Sequence, residues 1–197
     1  MKRLESHAET AFPIHDEQTA PEQSRETLRR AKAKYGFVPN LLGELAESPP
    51  AVQAYTHLQE LLGEGRFTPG ERQVLFLTVS AANSCEYCVA AHSAGAKMER
   101  VSDQVIAGIR NGTPLPDARL EALRRFTQAV VEERGWIDAA LLDEFLSAGF
   151  EPAHVFEVLV AVATMTLSNY ANHILETPLD RQFVPFAWED HQAEAPR

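Results

Sequence analysis

The amino-acid sequence predicts an all-α fold, a bundle of amphipathic helices built as an oligomer. Apolar residues recur at helical spacing along most of the chain, helix start and stop signals punctuate it, and no stretch alternates apolar and polar residues as a strand would. At 197 residues the chain can bury a core without disulfide or metal staples and is short enough for one domain. That domain spans 1–197, with an N-terminal arm over 1–20 and a C-terminal arm over 177–197.

From Pro21 the pattern turns helical and runs to Lys34, with Gly36 as its stop. Residues 39–47 suit one short helix. After Ser48-Pro49-Pro50, residues 51–63 place Val52, Tyr55, Leu58, Leu61 and Leu62 at amphipathic spacing. Thr68-Pro69-Gly70-Glu71 is a sharper start, with Thr at the N-cap, Pro at the first helical position and Glu three residues after the cap. The helix it opens carries Val74, Leu75, Phe76, Leu77 and Val79, apolar on most sides, and delivers the chain to Cys85. Another helix follows to about Lys97. Ser102 begins a short helix ending at Asn111-Gly112, a proline-rich linker leads to a helix over 117–134, Asp138 caps 139–147, and Pro152 opens a long apolar helix to about 176. Beyond it, Phe183, Val184, Phe186 and Trp188 among prolines and charges suggest an arm docked on an apolar surface of its own or a neighbouring subunit.

Hydrophobic residues at 45% and charged residues at 23% are ordinary for a soluble protein. A net charge of -10 without a Lys/Arg cluster argues against nucleic acid or an anionic membrane as partner. The N-terminus never forms an apolar signal region, so the cytoplasm is the expected location. The uncharged run 158–175 is too polar in its second half for a lipid-facing span, because Thr164, Thr166, Ser168, Asn169, Asn172 and His173 interrupt it.

Both cysteines lie in Asn83-Ser84-Cys85-Glu86-Tyr87-Cys88-Val89-Ala90-Ala91-His92. In a reducing compartment two cysteines at Cys-x-x-Cys spacing point to redox chemistry or metal binding rather than a structural bridge. On a helix, Cys85, Cys88 and His92 share one face, so His92 can reach the Cys88 sulfur and take its proton. A position at the start of the helix also favours a thiolate through the dipole. The bland reading is two small core residues. Zinc is a further reading, with His173 or water as fourth ligand, but no second Cys/His pair is present. Asn169, Asn172 and His173 share one helical face and either line a pocket or satisfy each other at a helix end.

The runs Thr68-Pro69-Gly70-Glu71-Arg72-Gln73-Val74-Leu75 and Ala81-Ala82-Asn83-Ser84-Cys85-Glu86-Tyr87-Cys88-Val89-Ala90-Ala91-His92 resemble the core of the AhpD-like alkylhydroperoxidases within the carboxymuconolactone decarboxylase family. Tyr35 to Asn40 and the later Asn172-His173 and Pro178-Leu179-Asp180 are similar to its peroxidase-related branch. The resemblance implies an all-α fold, homo-oligomeric assembly and thiol-dependent reduction of hydroperoxides. In that family a glutamate twelve residues before the first cysteine joins the histidine in a proton relay. Here the position is Gln73, which cannot accept a proton, so the relay rests on His92 alone or on Glu71 or Glu86 reaching in.

The expected catalytic set is therefore Cys88, Cys85, His92 and Gln73, with Cys88 attacking the peroxide and Cys85 resolving the sulfenic acid, an assignment that can be reversed. No haem, flavin or nucleotide motif is present, so neither cofactor nor metal is expected. The partners implied are a hydroperoxide substrate and a dithiol or lipoyl electron donor. A disulfide oxidoreductase or redox sensor without peroxide turnover, and a metal-binding or structural oligomer, remain the alternatives.

Overall fold

The structure, a computed structural model, describes residues 12–189. Among these, nine α-helices follow one another: α1 (Glu22–Tyr35), α2 (Asn40–Leu45), α3 (Pro49–Gly63), α4 (Pro69–Ala82), α5 (Glu86–Met98), α6 (Asp103–Asn111), α7 (Ala118–Glu132), α8 (Ala139–Ser147) and α9 (Pro152–Leu175). A single 3-10 turn follows at Val184–Phe186, and the described residues contain no strand.

The helix ends lie where local chemistry puts them. Gly36 closes α1 at φ 82° and Gly112 closes α6 at φ 65°, a left-handed conformation that costs glycine nothing. Thr68 and Glu71 form the expected box at the start of α4: Glu71 N donates to Thr68 Oγ1 at 3.2 Å and Thr68 N to Glu71 Oε2 at 2.9 Å. Side chains of Ser102, Asp117 and Asp138 accept from the first turns of α6, α7 and α8. His154 caps α9 with its ring, accepting from Glu151 N at 2.9 Å, a role its sequence position did not announce.

Helix α4 is the centre of the bundle, packed by α5, α6, α7 and α9, because it is apolar on most sides: Val74, Leu75, Leu77 and Val79 are all 1% exposed or less. Across it, Phe126 of α7, Phe145 of α8 and Phe150 stack with centroids 4.3 Å apart in each step. Arg119 covers Phe150, and its Nε donates to Glu71 at 2.8 Å. By length and composition α9 could cross a bilayer, yet in this fold it packs against α3, α4 and α7, with Val158, Ala161 and Met165 in the core.

Both arms dock on their own chain wherever they are described. His15 N donates to Gly43 O at 3.2 Å, an approach that a Cβ on Gly43 would block at 2.7 Å. Residues 1–11 of the N-terminal arm lie outside the described residues. At the other end, Asp180 accepts from Tyr87 Oη and from Asn40 N, and Phe183 meets the rings of Phe37 and Tyr87. Trp188 Nε1 donates to Arg110 O at 3.2 Å. Through Trp188 the C-terminal arm is held to Arg110 of its own chain. Residues 190–197 lie outside the description.

Candidate active site

The turn from α4 to α5 places the thiols. Ser84 adopts φ 56°, in the left-handed region, and swings the chain so that Cys85 becomes the N-cap of α5 rather than part of the helix. Cys88 then lies in the first helical turn, where unpaired N–H groups and the helix dipole favour a negative sulfur. Both cysteines are free thiols, 1% and 2% exposed.

The neighbours of Cys88 come from the long helix α9. Asn172 Nδ2 donates to Cys88 Sγ at 3.1 Å and to Ser168 O at 2.9 Å, and the Ser168 hydroxyl stands 3.9 Å from the same sulfur. Asn169 is oriented by Asn83 Nδ2, which donates to its Oδ1 at 2.9 Å; its own Nδ2 has no partner at hydrogen-bonding distance but is near enough to act on the sulfur. Burial works against an ionised Cys88, yet the polar groups of Cys85, Asn169, Ser168 and Asn172 around it hold its thiol below the ordinary range, with Asn172 donating directly. Cys85 moves the other way. Its hydrogen bond to Cys88, and then its burial, push it far up, so it stays protonated. His173, exposed at the end of α9, lies beside Cys85 and is raised by that contact. Tyr55 of α3 closes the site, buried beside Ser168 and raised well above its ordinary value first by burial and then by the Cys88 charge.

His92 and Gln73 form a second group between α4 and α5. Gln73 Oε1 is 3.1 Å from His92 Nδ1, and the Phe76 ring lies 5.0 Å from the imidazole. Gly95 makes room for this pair, since a Cβ there would come within 2.7 Å of Gln73 Oε1. Burial lowers His92 to about 4, so it is neutral near pH 7. The sequence put His92 against the Cys88 sulfur. Among the described residues, that sulfur is met instead by the side chains of Asn172 and Ser168 of α9, while the His92 ring turns to Gln73 and Phe76 of α4. Neither carboxylate offered as a substitute base reaches in: Glu71 is held by Thr68 and Arg119, and Glu86 is exposed. Ser168 and Tyr55 were missed as site residues, since a serine and a tyrosine on apolar helix faces read as core; Asn169, Asn172 and His173 were flagged by their shared face. No three His, Cys, Asp or Glu side chains among the described residues gather as a metal would need.

A pH test follows. With its folded-state value near 4 and an ordinary value of 6.5, His92 binds its proton more readily unfolded, so stability falls as pH drops through that window and levels off below it. Gln73→Glu places a carboxylate at the 3.1 Å contact and should raise the His92 value by about one unit or more, read by NMR titration of the ring. An unchanged titration would show that the pair does not interact.

Residues 49–129 match the model of the carboxymuconolactone decarboxylase family. No curated protein matches the chain. Among solved structures, an alkylhydroperoxidase AhpD-core, peroxidase-related protein from Ralstonia eutropha JMP134 is similar at 25% identity and TM-score 0.77, over 87% of this chain and 93% of that one. A peroxidase-related protein from Silicibacter sp. TM1040 is similar in fold at 22% identity and TM-score 0.75, over 88% and 92%. The debrominase Bmp8, as a cysteine variant in complex with 2,3,4-tribromopyrrole, shares the fold at 17% identity and TM-score 0.70, over 94% and 96%. The segment matched by the family model contains Gln73, Cys85, Cys88 and His92, and the chain as a whole is similar in helical architecture to the AhpD-core protein.

Proposed function

We propose that the chain is a thiol-dependent hydroperoxide reductase, a reading carried above all by the Cys88 sulfur, whose surrounding donors favour the thiolate despite burial. The family and the peroxidase-related protein from Ralstonia eutropha JMP134 support a peroxidase-like reductase in general. In the specific cycle, the Cys88 thiolate attacks the terminal oxygen of a hydroperoxide. The S–O bond forms as the O–O bond breaks, and the alkoxide leaves with a proton from water. Cys85 passes its own proton to His173 and attacks the sulfenic sulfur; the S–S bond forms, the S–O bond breaks, and hydroxide leaves as water with that proton. Two thiols are thus oxidised as the peroxide is reduced, and an external dithiol or lipoyl group restores them. Gln73 and His92 flank the thiol helix as a neutral pair rather than a charged relay.

Stopped-flow mixing of the reduced protein with an organic hydroperoxide, followed by thiol counting, tests this. Rapid loss of both thiols is expected. Slow loss with fast exchange against a small disulfide would make the protein a disulfide oxidoreductase instead. For assembly, the uncharged outer face of α9, with Phe156, Leu159, Tyr170 and Ile174 exposed at helical spacing, is the surface proposed for a second copy. Light scattering of Leu159→Glu should then show a lower mass than the parent protein.

A further inference from the structure

Helix α1 carries five basic residues, Arg25, Arg29, Arg30, Lys32 and Lys34, interspersed with Glu22 and Glu26. A cleft of about 250 Å³ runs between α1 and α3, lined among others by Arg30, Lys34, Tyr35, Leu42, Tyr55 and His57. Glu60 is the carboxylate on its wall, and it stands 3.7 Å from His57. Arg30 shares Glu26 with Arg29 in an exposed cluster, which binds it weakly. Among the described residues no carboxylate pairs with Lys34, whose ammonium lies 5.1 Å above the Tyr35 ring. At the inner end, Tyr55 belongs to two sites at once: it lines this cleft and lies beside Ser168 next to the Cys88 sulfur.

We infer that the cleft between α1 and α3 binds a small organic acid, with its carboxylate at Arg30 and Lys34 and its apolar body against Tyr35, Leu42 and Tyr55. The volume is below that of a typical drug-sized pocket and suits a single substituted ring. Under the peroxidase reading, on which the identity of the substrate rests, the occupant is a carboxylated aryl or short alkyl hydroperoxide whose peroxide end lies at Tyr55, the residue this cleft shares with the thiol site, and reaches Cys88 when the Tyr55 ring turns aside. Charge-assisted contacts to a carboxylate are the strong class of hydrogen bond, so they set the preference between charged and neutral peroxides.

Two measurements test the site separately from the chemistry. Isothermal titration calorimetry with benzoate, on protein carrying Cys85→Ser and Cys88→Ser, should show saturable binding that weakens about tenfold or more when Arg30→Gln and Lys34→Gln are added. In the thiol-intact protein, KM for para-carboxylated cumene hydroperoxide should be several-fold below that for cumene hydroperoxide, and the ratio should fall toward one in the Arg30→Gln, Lys34→Gln variant. Benzoate that does not bind, or binds both proteins alike, overturns the site whatever the peroxide assay shows. Equal KM values for the two peroxides overturn its assignment to the substrate. Benzoate binding as expected, with neither peroxide consumed, keeps the site and overturns the peroxidase reading.

Discussion

Limiting iodoacetamide near neutral pH is expected to label Cys88 well before Cys85, and Asn172→Leu is expected to slow that labelling by roughly ten- to a hundredfold. Asn172 Nδ2 donates to Cys88 Sγ at 3.1 Å. A hydrogen bond to a charged group contributes about 1.5–3 kcal/mol, or roughly one to two pKa units, and leucine of similar size removes it without leaving a hole. The midpoint of the labelling rate against pH should therefore move up by that amount. The direction follows from the two sulfurs being pushed apart: donors hold Cys88 down, while Cys85, the donor to it, is held protonated. Preferential labelling of Cys85 would reverse attacker and resolver. An Asn172→Leu profile that overlays the parent would show that the dipole of α5, not α9, stabilises the thiolate.

The largest expected loss of stability comes from Phe145→Ala. Phe145 is fully buried between the Phe126 and Phe150 rings, with centroids 4.3 Å away on either side and planes within 17° and 5° of parallel. Truncating a buried phenylalanine costs about 3–5 kcal/mol, because the transfer free energy is lost and the stack cannot close over the gap. For a domain of this size that corresponds to a fall in Tm of roughly 10 °C or more. Met98→Ala, at a residue 82% exposed, should change Tm by no more than a degree or two. Near-equal shifts from the two substitutions would mean that the aromatic stack is not part of the cooperative core.

How much of this was legible in the sequence depends on how far apart the interacting residues are. Capping signals act within four residues, so Thr68 with Glu71, Asp117, Asp138, Gly36 and Gly112 marked helix ends that the structure places within a few residues of where they were read. The cysteine motif and its resemblance to a family were likewise local, and the family model falls on the same segment. The pairing of His92 with Cys88 was a local argument too, resting on i,i+4 spacing that α5 does contain. The neighbours each side chain meets, Asn172 and Ser168 of α9 for Cys88 and Gln73 and Phe76 of α4 for His92, come from other helices.

The sequence by itself determined the all-α class, the order of the helices and the two thiols at the head of one of them, because each depends on periodicity, caps or spacing along a few turns of chain. Only the tertiary structure decided which neighbours those thiols have. Asn172 lies 84 positions from Cys88, Asp180 93 from Tyr87, and Arg119 48 from Glu71. Such partners are chosen by how α9, the C-terminal arm and α7 pack around α4, and that packing follows from burying apolar faces rather than from any pattern in the polar residues it brings together. The surroundings of the site, a buried thiol met by amide and hydroxyl groups from a distant helix, are accordingly a product of core packing.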